Sequence, residues 1–256
     1  MIADFPKIEC PFVRKTFEID HGDWKKHGSR LGLREPSVYL ITPEVTPGYD
    51  WVIEHKDTFA VEKLHGSNLG VTTGAGRITH IQNRMNEVDM LQVMGGRSFL
   101  VEAIIMAVTK DYVQKDGTQY GEALGPKLNG NMYQLPYHLW YPFDKAQDSL
   151  RYTSFHKQER SFASWNLWFH KYLKSLFYAR YHKIPISEMF GRDDVPFAEG
   201  VVFYNPTIAE EGCRPRMSKL RRDMYPWHYW DAIHIKDLDQ WALDYALRSE
   251  ITPKGY

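Results

Sequence analysis

The sequence predicts a mixed α/β fold in which short strands, separated by glycine-rich turns, are combined with amphipathic helices. Residues 69–83 read as two strands joined by the turn Gly74-Ala75-Gly76, a pattern typical of a hairpin. Apolar residues recur at helical spacing after Ser98 and again from 161 to 183. With 43% hydrophobic and 25% charged residues, the 256-residue chain has a globular composition and can bury a core. Strands and helices together indicate the α/β (α+β) class.

Charge and cysteine content restrict the classes of function. Lys and Arg together number 32, as do Asp and Glu, so no overall basic field attracts nucleic acid and any such surface must be local. Cys10 and Cys213 do not have the spacing of metal ligands, and two free thiols suit a reducing compartment, with their pairing left open. No apolar run is long enough to span a bilayer, and the N-terminus lacks a signal pattern. We therefore expect a soluble cytoplasmic protein that does not engage a membrane.

Three segments differ in their residue patterns. Residues 1–57 contain five prolines and are expected to form an irregular N-terminal extension packed on the core. Residues 58–226 carry the strand-like runs and are expected to form the core domain. Residues 227–256 are expected to form a short helical tail, with a helix from Asp237 to Glu250 that Asp237 and Gln240 cap. The helix after Ser98 has apolar residues on more than one face and is expected to be a buried scaffold with Ser98 as its N-cap.

The most informative stretch is residues 61–68, with the sequence VEKLHGSN. Lys63 ends an apolar, strand-like run, and a polar turn that contains Gly66 follows at once. A lysine amine is a nucleophile only when it is neutral, so such chemistry needs a site that disfavours the charged form. Lys63 is therefore a candidate covalent nucleophile. The structural alternative is an exposed lysine at the entrance to a turn.

The same stretch has the form E-K-x-H-G-(S/T)-N, and in this the chain resembles the lysine nucleotidyltransferases. That superfamily contains ATP-dependent RNA ligases, DNA ligases and mRNA capping enzymes. The residues of this motif are most similar to those of the RNA ligase 2 branch. DNA ligases usually carry K-x-D-G-x-R instead. The resemblance implies that Lys63 is the nucleophile. It also implies nucleotide contacts from the residues around it, namely Glu62, His65, Gly66 and Asn68.

Further motifs follow in the order of the same superfamily. They are Arg84 at the end of the hairpin, Glu122 in the sequence Tyr120-Gly121-Glu122-Ala123, Phe143 before Asp144, Glu199 before Gly200, and Lys219 with Arg221 in a basic strand. The resemblance implies that Arg84 contacts the ribose or a phosphate and that Phe143 stacks on the base, with Tyr141 as the fallback. Arg221 departs from the family pattern, because it stands where a second lysine is usual and its planar guanidinium replaces a compact ammonium.

The resemblance also implies a cofactor set. Glu122 and Glu199 would bind Mg²⁺, with Mn²⁺ as the alternative metal, since Mg²⁺ needs few carboxylates and keeps several waters. Lys219 and Arg221 would neutralise the phosphates of ATP, and both would act with Lys63 in catalysis. The implied fold has antiparallel sheets flanked by helices with the nucleotide between them. Too little chain follows residue 222 for the OB-fold of DNA ligases and capping enzymes.

The function implied is that of an ATP-dependent RNA ligase that seals 5′-phosphate and 3′-hydroxyl ends through a lysyl-AMP intermediate. We expect RNA ends as the partner and a monomeric enzyme. Three alternatives stay open. A ligase of DNA or RNA/DNA hybrids would share the chemistry, a capping-type enzyme would prefer GTP, and a non-catalytic protein would only bind polynucleotide ends. Retention of the lysines and glutamates together argues against the last of these.

Overall fold

The structure is a computed structural model of the chain and describes residues 5, 7–84, 86–91, 96–210 and 214–248. Contacts between residues divide the described chain into two compact units. The first comprises Val61–Tyr152 and Lys174–Ala198, together with Phe5 and Lys7. The second comprises Ile8–Ala60, Thr153–Leu173 and residues 199–248. The chain therefore passes between the units more than once. The predicted segments 1–57, 58–226 and 227–256 stay a prediction from the sequence pattern.

Short helices alternate with strands along the whole chain. The elements up to residue 124 are β1 (Phe12–Glu18), α1 (His21–His27), β2 (Ser37–Val45), α2 (Trp51–Glu54), β3 (Phe59–Lys63), β4 (Ser67–Gly74), β5 (Arg77–Asn83), β6 (Asn86–Glu87), α3 (Ser98–Thr109) and β7 (Gly117–Leu124). The later elements are β8 (Leu139–Pro142), α4 (Phe143–Ser149), α5 (Phe162–Leu167), α6 (Leu176–Tyr181), β9 (Gly200–Glu210), β10 (Arg214–Arg221) and α7 (Gln240–Arg248). The fold confirms the predicted α/β class, with antiparallel strands flanked by helices.

The first unit is built on a five-stranded antiparallel sheet with the strand order β6-β5-β4-β7-β8. Strands β4 and β5 form the hairpin that the sequence predicts. Helix α3 packs against β7 and β8. It buries Leu100 and Ile104 but leaves Ile105 and Val108 56% and 50% exposed, so the expectation of apolar burial on several faces is wrong. The N-cap of α3 is Arg97, which makes no side-chain capping bond, and not the predicted Ser98.

The second unit contains two small sheets and an aromatic core. Strand β1 pairs antiparallel with β2, and β9 lies between β10 and β3 in the other sheet. The chain leaves this unit within β3, between Ala60 and Val61. In the core, the Trp165 ring of α5 stacks on Phe203 of β9 with 5.0 Å between ring centroids. Phe12 of β1 contacts Trp165 edge-on, which is a favourable geometry for aromatic pairs.

The N-terminal segment is ordered, so the predicted irregular extension over residues 1–57 is wrong for the part that the structure describes. It contains β1, α1, β2 and α2. Prolines break helices, but a strand at the edge of a sheet tolerates them because one side of its backbone needs no ladder hydrogen bonds. Pro43 lies in β2, which among the described strands pairs only with β1, and Pro43 is exposed. Pro36 and Pro11 immediately precede the two strands.

The single long helix expected over residues 161–183 is also wrong. Helix α5 ends at Leu167, a π-helical stretch follows from Trp168 to Tyr172, and α6 begins only at Leu176. The Ser175 hydroxyl accepts a hydrogen bond from the Tyr178 N–H and so caps a new helix. The two helices also lie in different units.

Two further expectations concern the C-terminal helix and the cysteines. Helix α7 begins at Gln240 rather than at Asp237, whose φ of 51° is incompatible with an α-helix. Cys10 is a buried free thiol, and Cys213 lies outside the described residues. None of the helices in the described residues is long and apolar enough to cross a bilayer.

Candidate active site

Strand β3 carries the predicted nucleophile Lys63 at its last position. The four residues before Lys63 are buried, whereas Lys63 is partly exposed. Its Nζ donates a hydrogen bond to the carbonyl oxygen of Leu64, 3.3 Å away, at the point where the chain turns out of the strand. The strand therefore fixes the backbone of Lys63 and leaves the residue partly accessible to a substrate.

Glu122 holds the turn that follows Lys63. The Gly66 N–H donates a hydrogen bond to Glu122 Oε1 at 3.0 Å. Glu122 on β7 also lies directly opposite Asn68 on β4, and directly opposite residues point to the same face of a sheet. The first unit thus brings together two motifs, one around Lys63 and one around Glu122, that were identified separately in the sequence.

Position 66 accepts only glycine in this arrangement. A Cβ atom there would lie 2.0 Å from the carbonyl oxygen of Ala123 and 2.9 Å from Glu122 Cγ. The Ala123 carbonyl belongs to the backbone of β7, which pairs with strands on both sides. Relief of that clash would therefore require displacement of the turn or separation of strands.

Two residues that hold the same turn were not found by sequence reasoning. The Tyr133 hydroxyl accepts a hydrogen bond from the His65 N–H at 2.8 Å, and Asn129 Nδ2 donates one to the Gly66 carbonyl oxygen at 2.9 Å. Asn129 and Gly130 have φ values of 44° and 71°. The sequence Asn-Gly does indicate a turn of this kind, but it does not indicate which part of the chain the turn contacts.

Asn68 connects the turn to the end of the hairpin. Its carbonyl oxygen accepts a hydrogen bond from Asn83 Nδ2 at 3.0 Å. Its side-chain Oδ1 is buried and has no hydrogen-bond partner among the described residues. Buried acceptors without partners are uncommon, and a ligand is one way to satisfy them. Arg84 follows Asn83 directly and is exposed, with a φ of 52° at the hairpin end.

The Glu62 side chain makes its hydrogen bonds to other residues inside the protein. Its side chain is buried, and both carboxylate oxygens accept short hydrogen bonds, Oε1 from the Ser175 hydroxyl at 2.6 Å and Oε2 from the Phe177 N–H at 2.7 Å. Burial raises the pKa of the Glu62 carboxyl to about 7, and the two hydrogen bonds oppose that rise without cancelling it. The predicted contact of Glu62 with a nucleotide stays a prediction.

The titration of Glu62 predicts a dependence of stability on pH. Because its folded pKa of about 7 exceeds the ordinary value of 4.5, the folded state binds more protons between these values. The contribution of Glu62 to the free energy of unfolding is therefore greatest below pH 4.5 and falls as the pH rises to about 7. Glu62→Gln cannot titrate, so its stability relative to wild type should rise by a few kcal/mol across this window. Urea unfolding of both proteins at several pH values tests this, and parallel pH curves would contradict it.

The two aromatic candidates for base stacking differ in accessibility. Tyr141 is buried, its hydroxyl is hydrogen-bonded with Ser149, and its ring meets Phe177 edge-on. Burial raises the pKa of the Tyr141 hydroxyl, as expected for a core residue. Phe143 at the start of α4 is only partly buried. Phe143 therefore stays the better candidate for contact with a base.

Glu199, Lys219 and Arg221 lie in the second unit. Lys219 and Arg221 are alternate residues of β10 and point to the same face of the sheet, as predicted for a basic strand. The Arg221 Nε lies 2.9 Å from Asp223 Oδ1, so its charge is already paired. The carbonyl oxygen of Glu199, just before β9, accepts a hydrogen bond from the Arg222 N–H at 2.9 Å.

The described residues contain no group of three or more His, Cys, Asp or Glu side chains arranged to hold a metal ion. A site for Mg²⁺ does not need such a group, because this ion retains waters and uses one or two carboxylates with substrate phosphates. Glu122 in the first unit and Glu199 in the second offer the hard oxygen ligands that Mg²⁺ and Mn²⁺ prefer. Their joint role as metal ligands stays a prediction.

The chain is a mixed α/β protein, and its first unit carries a lysine at the end of a strand, followed by a turn that a glutamate side chain holds in place. No protein-family model matches the sequence, and no curated protein matches it either. Solved structures similar to this chain include RNA ligases from Naegleria gruberi. The ligase with PPi has 16% identity and a TM-score of 0.43, and the match covers 89% of this chain and 64% of that one.

Other solved structures of the Naegleria gruberi ligase match in a similar way. One mutant of that ligase, solved with ATP and Mn, has 14% identity and a TM-score of 0.39, with 85% of this chain and 62% of that chain covered. A different mutant, also with ATP and Mn, has 17% identity and a TM-score of 0.38, with 66% and 51% covered. The chain thus spans half to two thirds of the length of these ligases.

Proposed function

We propose that the chain is an ATP-dependent RNA ligase that joins 5′-phosphate and 3′-hydroxyl ends. The observation that carries the proposal is the hydrogen bond from Gly66 to Glu122, which unites the lysine motif with the glycine-glutamate motif around Lys63. Asn68 Oδ1, which has no hydrogen-bond partner among the described residues, lies on β4 directly opposite Glu122 and adds a polar group that a nucleotide can satisfy.

The chemistry consists of three phosphoryl transfers. In the first, the neutral amine of Lys63 attacks the α-phosphorus of ATP, a P–N bond forms, and the P–O bond to pyrophosphate breaks. In the second, an oxygen of the RNA 5′-phosphate attacks the same phosphorus and takes AMP from the lysine. In the third, the RNA 3′-hydroxyl attacks the activated 5′-phosphate, forms the phosphodiester bond and releases AMP. Such reactions depend mainly on positioning and on stabilisation of charge.

The first unit would supply the nucleotide contacts. Asn68 and Glu122 share one face of the sheet beside the turn after Lys63, and Gly66 keeps that turn close to β7. We propose that this face receives the nucleotide, with Arg84 and Phe143 at its margins. Small size at position 66 is consistent with close approach of a ligand to the backbone.

In the second unit, Lys219 and Arg221 would neutralise phosphate charge. A bound Mg²⁺ would add further charge neutralisation, with Glu122 and Glu199 as its oxygen ligands. Arg221 would have to exchange or share its partner Asp223 to do so, because the two side chains form an ion pair. We therefore expect Lys219 to carry the larger part of this role.

Joining of matched nicked duplexes tests the proposal. The duplexes carry RNA or DNA on either side of a nick with 5′-phosphate and 3′-hydroxyl ends, and ATP and Mg²⁺ are supplied. We expect sealed product when RNA flanks the nick, because a 2′-hydroxyl is the group that distinguishes RNA from DNA at a site. Sealing of all-DNA nicks alone would favour a DNA ligase. Binding of all these ends with no AMP transfer would favour a non-catalytic end-binding protein.

A further inference from the structure

The backbone around Lys63 is anchored on its N-terminal side through Glu62. The Glu62 carboxylate joins the N-terminus of α6 through the Ser175 hydroxyl and the Phe177 N–H, and its own N–H donates to the carbonyl oxygen of Leu150 at 3.0 Å. The carboxylate is 2% exposed, so water does not compete for these bonds. Hydrogen bonds to a buried charged group are among the stronger ones in proteins.

The backbone on the C-terminal side of Lys63 is anchored through His65. Its N–H donates to the hydroxyl of Tyr133 at 2.8 Å, and the Tyr133 side chain is 1% exposed. The Tyr133 carbonyl oxygen in turn contacts His182 Nε2 at 3.0 Å, at the end of α6. Tyr133 is therefore fixed at both its hydroxyl and its backbone.

The two anchors belong to one structure, because both meet at Phe177. The Phe177 N–H binds Glu62, and the Phe177 ring packs against the Tyr133 ring with 4.8 Å between centroids. A closed path thus runs from Glu62 through α6 and Tyr133 to His65, with Lys63 and Leu64 between its ends. All of these residues lie in the first unit.

We propose that Glu62 and Tyr133 are positioning residues, which hold the backbone on both sides of Lys63 so that its amine stays aligned for attack on a phosphorus. The catalytic part of this proposal rests on the proposed ligase function. Alignment of the reacting groups strongly affects the rate of such reactions, because displacing one of them by about 1 Å can lower the rate by about 100-fold. In this account the Glu62 carboxylate binds α6 and not the nucleotide.

The hydrogen bonds that the buried Glu62 carboxylate already makes explain why it is a poor ligand for a nucleotide. Each of its oxygens already accepts one short hydrogen bond inside the protein. Rotation of the carboxylate toward a nucleotide would leave the Ser175 hydroxyl and the Phe177 N–H without this acceptor. A buried donor that loses its partner costs about 1–3 kcal/mol, more than a typical net gain from one new hydrogen bond.

Three variants separate the positioning role from nucleotide binding. Glu62→Ala removes the first anchor, and Tyr133→Phe removes only the hydroxyl that forms the second anchor. The amide of Glu62→Gln can still accept a hydrogen bond from the Phe177 N–H and donate one to the Ser175 hydroxyl. Tyr178→Phe is the matched control, because it also removes a hydroxyl of a tyrosine in the first unit, one that binds Gln134. The measurements are the single-turnover rate of lysyl-AMP formation, the ATP concentration at half-maximal rate, and amide hydrogen exchange of residues 60–70.

We expect the maximal rate to fall about 100-fold in Glu62→Ala and about 10-fold in Tyr133→Phe, with the half-saturating ATP concentration changed less than about twofold. Glu62→Gln should restore part of the lost rate. Exchange of residues 60–70 should become faster in both disrupted variants but not in Tyr178→Phe. A raised half-saturating ATP concentration with an unchanged maximal rate would overturn the positioning role in favour of nucleotide binding.

The exchange experiment needs no activity and so separates two kinds of failure. If wild type forms no lysyl-AMP but Tyr133→Phe and Glu62→Ala still loosen residues 60–70, the anchors are real and the ligase function is wrong. If wild type is active and the variants leave both the rate and the exchange unchanged, the positioning proposal is wrong and the ligase function stands.

Discussion

Lys63→Ala is expected to abolish formation of the covalent AMP adduct, to below the detection limit of a radiolabel assay. The proposed first step requires an amine at this position, and no other group takes over when a covalent nucleophile is removed. Lys63 is partly exposed at the end of β3, so its loss should leave the fold intact. The measurement is incubation with Mg²⁺ and ATP labelled at the α-phosphate, followed by a denaturing gel.

Lys63→Arg is the matched control for charge. Arginine keeps the positive charge but cannot be deprotonated in a protein, so it binds phosphate without attacking it. We expect Lys63→Arg to form no adduct although its thermal stability equals that of wild type. An adduct of normal yield in either folded variant would place the nucleophile elsewhere.

Gly66→Ala is expected to destabilise the first unit and to reduce adduct formation by more than about 100-fold. The new methyl group would lie 2.0 Å from the Ala123 carbonyl oxygen, so the turn after Lys63 must move away from β7. That movement also breaks the hydrogen bond between Gly66 and Glu122. Overpacking of this kind costs about 3 kcal/mol. Thermal unfolding and the adduct assay measure the two effects separately.

Gly74→Ala serves as the control for the loss of a glycine, because Gly74 lies at the other end of β4. A Cβ at position 74 would meet only the Thr79 Cγ2 atom, at an ordinary contact distance of 3.7 Å. We expect its stability to lie within about 1 kcal/mol of wild type. If Gly66→Ala behaved like Gly74→Ala, the close packing of the turn on β7 would not matter for the site.

Several strands could be predicted from local sequence patterns. Strands β4 and β5 flank a turn with two glycines, β3 is an apolar run that ends at Lys63, and β10 has basic residues two positions apart. The prediction of one helix over residues 161–183 was wrong for a physical reason. Trp165 and Phe177 continue one helical spacing but belong to cores of different units, and periodicity reports burial without saying in which core.

The candidate site could be predicted only in its motif residues. Lys63 and Glu122 carry recognisable local sequences, and the structure brings their motifs into contact. Tyr133 and Ser175 carry no such signal, because their roles come from hydrogen bonds to residues 68 and 113 positions away. Contacts of that range depend on the completed fold, and a local pattern of apolar and polar residues does not encode them.

The most direct test of the account is the chemical identity of the first intermediate. Protein freed of any bound AMP is incubated with Mg²⁺ and ATP or GTP labelled at the α-phosphate, and the modified residue is identified by tandem mass spectrometry. The account predicts AMP on Lys63 from ATP, with the label lost again when pyrophosphate is added. A folded protein that forms no adduct, or one that carries the label on another residue, would contradict it.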